Sequence, residues 1–189
     1  ASNGLATIGA ATGTGAVGVS ANRVAIGSVD TAGTLTIASV GDVRLTQGFA
    51  GGDVRLTAGT SAAIGSLESR GAGVRLTAGD AIVADSIIAA NDLTMRGGAI
   101  DIRNATARTG AIDLTATRGN LTLTTGSAGR TAQAIAGAGV LAIGTLSSGS
   151  ATMLRALTLT AGNLTSGGSL SADAGSLSID AAHATTGNV

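Results

Sequence analysis

The amino-acid sequence predicts an all-β fold, a right-handed parallel β-helix (solenoid) of roughly nine coils with about 19–20 residues in each coil. Three observations lead to it: apolar residues that recur at a fixed spacing, a local alternation typical of strands, and a composition with 31 Gly and no Pro, Cys, Trp or Tyr. The right hand follows the general rule for parallel crossover connections. Since paired strands lie about 4.7–4.9 Å apart, nine coils would form a rod about 40–45 Å long.

The repeat consists of two series of apolar residues. The first recurs every 18–20 residues, at Val17, Leu35, Val54, Val74, Leu93 and Ile112, and resumes at Leu157 and Leu177. The second recurs every 19 residues, at Ile26, Leu45, Ile64, Val83, Ile102 and Leu121, and continues at Ile143 and Leu164. The two series are offset by nine or ten residues, so they predict at least two strands in every coil.

The residues around these points alternate between apolar and polar, as in segments 54–57, 74–77, 121–124 and 157–160. Period two is the period of a strand, so we expect Val, Leu and Ile to face the interior and Thr and Arg to face solvent. Gly-rich breaks such as Gly51-Gly52 predict tight corners, where Gly would supply a positive φ.

The chain 1–189 is predicted to be a single β-helix segment and a fragment of a longer chain, since it has no leader pattern and no initiator Met. From Ile112 to Leu157 there are 45 residues, seven more than two coils of 19. We therefore expect an irregular or widened coil within 126–150. Neither end shows a capping helix, so we expect neighbouring coils of a longer chain, or end-to-end copies, to cover the ends.

Composition and charge exclude several classes of partner. Eleven acidic residues balance eleven basic ones, and every basic residue is Arg. This is not the basic field of a nucleic-acid-binding protein. No uncharged apolar run is long enough for a membrane helix. The lack of Cys excludes disulfides and thiolate metal sites.

No residue is predicted to be catalytic, cofactor-binding or metal-binding. The nearest carboxylate pairs are Asp101 with Asp113, on neighbouring coils, and Asp80 with Asp85. A glycan-cleaving site needs convergent carboxylates in a cleft, and these coils leave almost no residues for long loops. We therefore expect a protein that is not an enzyme.

Charged side chains raise one binding alternative. Arg55 and Arg75 should stack on adjacent coils, with Arg44 elsewhere around the coil. They could form a stripe for anionic glycans, although solubilising side chains with Asp partners explain them equally well. Glu68 and Arg70, on one coil, are a similar case.

Other residues point to no site. His183, the only histidine, has no Cys or carboxylate cluster near it in the sequence, so no metal is expected there. Asp53 follows Gly51-Gly52 but does not continue into a calcium-binding nonapeptide repeat. Thr122 and Thr124 lack matching pairs on both adjacent coils, which disfavours an ice-binding solenoid.

The repeats resemble those of filamentous haemagglutinin-type exoproteins. The segments that carry the resemblance are Gly52–Gly59, Ala63–Leu67, Asp92–Met95 and Gly175–Ile179, and it extends from about Val17 to Ile179.

The resemblance implies a secreted protein of the bacterial cell surface, exported by two-partner secretion through an outer-membrane pore. Such proteins are adhesins, biofilm matrix proteins or toxin-delivery stalks. Their secretion domain carries an Asn-Pro-Asn-Leu-like signature, and this chain has no Pro. The resemblance therefore implies the shaft of an adhesin or extracellular filament, with host-surface or matrix glycans as its partners. A glycan- or surface-binding passenger-type β-helix is the alternative.

Overall fold

The computed structural model describes residues 4–186 and 188, and these residues form strands and turns with no helix. The strands are β1 (Leu5–Gly13), β2 (Val17–Ala21), β3 (Arg23–Thr31), β4 (Leu35–Ser39), β5 (Val43–Ala50), β6 (Val54–Ala58), β7 (Ala62–Ser69), β8 (Val74–Ala78), β9 (Ala81–Ala89), β10 (Leu93–Gly97), β11 (Ala99–Ala107), β12 (Ile112–Ala116), β13 (Leu121–Ala128), β14 (Ala132–Ala136), β15 (Val140–Ser148), β16 (Thr152–Ser166) and β17 (Leu170–Ala184). The turns between them contain one to four residues.

Long and short strands alternate, and each strand pairs in parallel with its equivalent in the next coil. The long strands pair in the order β1, β3, β5, β7, β9, β11, β13, β15, and the short strands pair in the order β2, β4, β6, β8, β10, β12, β14. In β16 and β17 a short and a long strand run on without a turn. The result is a β-solenoid of about nine turns, which confirms the predicted stack of parallel coils.

The first apolar series is confirmed from Val17 to Ile112, because its successive members are register partners on adjacent short strands. In the short strands, inward and outward residues alternate without interruption. Val54 and Leu56 are buried and Arg55 and Thr57 are exposed, as the alternation predicts.

Each long strand bends, so each coil has three faces. In β3, Val24 and Ile26 face inward, two consecutive residues then face outward, and Val29 and Thr31 face inward again. The backbone pairing skips Gly27 at the bend. We call the part before the bend face 1, the part after it face 2 and the short strand face 3.

The second series is wrong at Val83 and Leu121, which do not lie in the stack that contains Ile64 and Ile102. Ile64 stacks on Ala84, while Val83 points outward and is 52% exposed. Ile102 stacks on Leu123 and not on Leu121. The inward position in this coil is occupied by Ala84, and the apolar series was built from larger side chains only.

In the continuations, Ile143 does stack on Leu123, but Leu164, Leu157 and Leu177 are wrong. Leu164 stacks on Leu146 rather than on Ile143. Leu157, at the corner inside β16, is 60% exposed, and Leu177 stacks on face 1 of the preceding coil rather than in a short strand. Leu177 lies on the last coil that the structure describes and is 51% exposed.

The irregular coil expected within 126–150 is absent. Ile112 stacks on Ala132, which stacks on Thr152, at spacings of 20 residues each. The same spacing separates Val54 from Val74. The repeat is not visible in the apolar series here because buried Ala132 and Thr152 occupy positions that hold Val, Leu or Ile in other coils.

Glycine serves a different purpose from the one expected. None of the described glycines has a φ in the left-handed region. Many lie where adjacent coils approach most closely: a Cβ on Gly59 would lie 1.7 Å from the carbonyl oxygen of Val40, and one on Gly51 would lie 2.2 Å from that of Ala32. At these corners Gly is needed because only a hydrogen atom fits between the backbones of adjacent coils.

Small residues also fill the inward corner positions. Buried hydroxyl groups there donate to turn carbonyls: Ser69 to Gly52 at 2.8 Å and Ser39 to Asn22 at 2.7 Å. Within the described residues, no buried side-chain nitrogen or oxygen lacks a hydrogen-bond partner. The core is therefore continuous along the rod, and its few buried polar groups are satisfied.

Candidate functional site

The carboxylate pairs considered from the sequence do not converge. Asp101 pairs in register with Thr122 in the long strands, whereas Asp113 pairs with Gln133 in the short strands. Because these two stacks form different faces of the rod, the two carboxylates belong to different surfaces.

Asp80 and Asp85 each have an arginine partner. Asp80 lies 3.1 Å from Arg118, and Asp85 lies 3.3 Å from Arg103; all four side chains are at least 63% exposed. Exposed pairs of this kind are screened by solvent and contribute little to stability. Both carboxylates lie in solvent, whereas catalytic carboxylates usually lie in desolvated clefts.

Arg55 and Arg75 do stack in register on face 3, as predicted. The groove beside them also contains Asp53 and Asp92. These carboxylates accept hydrogen bonds from backbone N–H groups of the next coil. Asp53 accepts one from Gly73 at 3.2 Å, and Asp92 accepts one from Ala111 at 2.8 Å. The local charges are mixed, so this surface lacks the excess of positive charge that an anionic polymer requires.

Glu68 and Arg70 do not pair with each other. Glu68 accepts a hydrogen bond from Arg108, two coils further on, at 2.9 Å. The Arg70 guanidinium lies 5.0 Å from the ring centre of Phe49, within the range of a cation–π contact.

The carboxylate of Asp42 forms hydrogen bonds between two coils. It accepts hydrogen bonds from the Thr60 hydroxyl and, at 3.3 Å, from the Ser61 N–H. These bonds, with a smaller contribution from Arg23, lower the pKa of Asp42. Asp42 directly precedes β5 and Ser61 directly precedes β7, so the carboxylate joins two successive coils.

The described residues hold no group of three His, Cys, Asp or Glu side chains placed to bind a metal ion. His183 is exposed and pairs in register with Thr165. Thr122 has Asp101 and Ala142 as its register partners, so the uneven surroundings predicted for it are present. The described residues also contain no helix long and apolar enough to cross a membrane.

A polar surface on face 2 was missed by the sequence interpretation. Four consecutive coils each present two outward polar residues there, in β11, β13, β15 and β16. We call this set the polar face: Asn104, Thr106, Thr125, Ser127, Thr145, Ser147, Asn163 and Thr165. The signal was present as a polar-x-polar triplet in each long strand, but it appears only when the coils are aligned in the correct register.

The polar face is uncharged, and seven of its eight side chains are exposed. The hydrogen bonds within the described residues use other hydroxyl groups, including those of Thr60, Thr109 and Thr117, but none from the polar face. Its donors and acceptors are therefore available to an external partner.

No protein-family model matches this chain, and no curated protein or solved structure matches it either.

Proposed function

We propose that this chain is a structural shaft segment of a secreted bacterial surface adhesin or extracellular filament, and that it provides rigid reach for adhesion or biofilm formation. The observation that carries the proposal is the uninterrupted stack of about nine turns, with no connection longer than four residues in the described part of the chain. A long turn would create a hinge or a cleft. Short turns and a continuous core favour a stiff rod.

The proposal includes export through an outer-membrane pore, a location outside the cell and the absence of catalysis. The resemblance of the repeats to filamentous haemagglutinin-type exoproteins supports the first two. The scattered, solvent-exposed carboxylates support the third. A glycan-binding, passenger-type β-helix is the second candidate, and the polar face is the observation that favours it.

A replacement experiment tests the shaft role. In the producing bacterium, this segment is exchanged for an unrelated β-solenoid with the same number of coils, and surface display is checked with an antibody to a tag. A shaft predicts that the exchange preserves adhesion while deletion of the segment reduces it. Loss of adhesion after an exchange that leaves display intact would refute the shaft and favour a binding module.

A further inference from the structure

We infer that the polar face is a binding site for an extended, neutral β-linked glucan chain that lies along the axis of the rod. This names the ligand class for the second candidate function, glycan binding, and does not depend on the shaft role. The inference rests on the residue types, their unused hydrogen-bonding groups and their spacing.

Strand propensity does not explain the residue types. Threonine is favoured in strands, but asparagine is depleted there and serine is not among the enriched residues. Asn104, Ser127, Ser147 and Asn163 nevertheless occupy outward strand positions in four successive coils. Solubility does not explain them either, since charged side chains serve it better.

Earlier coils share one row of the polar face but not the other. The row that contains Asn104 continues back through Ser86, Ser66 and Gln47. The row that contains Thr106 has Ile88, Glu68 and Phe49 at the corresponding positions. The pair of neutral polar rows is therefore confined to four coils, although one row alone extends further.

The spacing suits a linear polymer. Side chains two residues apart on a strand are separated by about 6.6–6.8 Å, and equivalent side chains on adjacent coils by about 4.7–4.9 Å. The array thus forms two parallel rows along the rod axis. The step between coils is close to the length that one sugar ring adds to an extended β-linked glucan, so each ring can meet a new pair of side chains.

The charges at the border favour a neutral ligand over an anionic one. Arg103 and Arg108, beside the first coil of the face, are paired with Asp85 and Glu68. Arg130 lies in the turn after β13 and has no ion pair within the described residues. One such charge gives an anionic polymer a single contact, whereas eight neutral side chains line the two rows.

The test uses the purified 189-residue chain in native gels that contain xyloglucan, mixed-linkage β-glucan or hydroxyethylcellulose, with alginate as the anionic comparison. We expect at least one neutral glucan to slow migration, and we expect high salt to leave this effect unchanged. The double variant Thr125→Val, Thr145→Val keeps the branched side chains and removes two hydroxyl groups. Binding should weaken about tenfold or more, because each lost hydrogen bond removes part of the affinity.

The matched control is Thr57→Val, Thr77→Val, which changes two register-paired outward threonines on face 3. It should bind like the unmodified chain, and circular dichroism should show that both variants are folded. The inference is overturned if none of the three neutral glucans slows migration, if only alginate does, or if both double variants lose binding equally. Adsorption to ice without any retardation by glucan would also overturn it, and would assign the array to ordered water.

Discussion

Ile82 and Val83 are neighbours in β9, and their side chains point to opposite sides of the coil wall. Ile82 is fully buried, stacked between Ala62 and Ile100, whereas Val83 is 52% exposed and stacks on Asp101. The apolar spacing alone placed Val83 inside. Replacing each residue with alanine therefore tests the register of the structure directly.

The two substitutions should differ several-fold in cost. Ile82→Ala removes three buried carbon atoms, worth about 0.8 kcal/mol each in transfer free energy, or roughly 2.4 kcal/mol. The coils on both sides hold the walls apart, so a cavity remains and raises the total to about 3–4 kcal/mol. Val83→Ala removes two carbon atoms that are already half in water, so we expect a loss below about 1 kcal/mol.

The assay is equilibrium unfolding in urea, followed by the circular dichroism of the strands. With a slope of about 3 kcal/mol per molar urea, Ile82→Ala should lower the midpoint by roughly 1 M and Val83→Ala by less than about 0.3 M. Equal losses, or a larger loss for Val83→Ala, would refute the register shift and restore the inward position of Val83.

Three further predictions concern corners, pH and ends. Gly59→Ala forces a Cβ against the backbone of the adjacent coil and should lower the free energy of unfolding by about 3 kcal/mol. Gly18 has open space around it, so Gly18→Ala should change that free energy by no more than about 0.5 kcal/mol. Thermal unfolding of the two variants compares these losses. The pKa of Asp42 is lower in the folded state than in the unfolded state, where it is about 3.9. The ionised carboxylate therefore stabilises the fold above the unfolded-state pKa, and this contribution is lost as the pH falls through the folded-state pKa. Asp42→Asn should therefore flatten the decline in unfolding midpoint below about pH 4, and an unchanged decline would argue against this role. Leu177 stacks on buried Leu159 and is exposed on the last coil that the structure describes, so the isolated chain should associate end to end as its concentration rises. Leu177→Glu should then reduce the mass measured by light scattering.

Much of the fold follows from the sequence because each coil must repeat the inward pattern of the coil before it. The spacing from Val17 to Ile112 predicted the parallel stack, and the alternation in Val54–Thr57 predicted which side chains are buried. The stacking of Arg55 on Arg75 followed from the same repeat. These features depend on short-range periodicity, which the amino-acid order carries directly.

The tertiary structure alone decided the register within the long strands. Alternation fixes the inward side of a strand only until a bend inserts an extra outward residue, after which every later side chain changes side. The bend positions hold Gly, Thr, Asp or Arg, so no single residue type marks them. Small inward residues such as Ala84, Ala132 and Thr152 then hide the repeat from a search for larger side chains.

The polar face shows the same division between sequence and structure. Its side chains are ordinary residues for a surface, and only the stacking of β11, β13, β15 and β16 brings them into two rows. The sequence by itself determined a repeating parallel β-fold, because hydrophobic periodicity is a local property. Three-dimensional pairing decided which outward residues meet across coils, because that depends on turn lengths and bends that hydrophobicity does not specify.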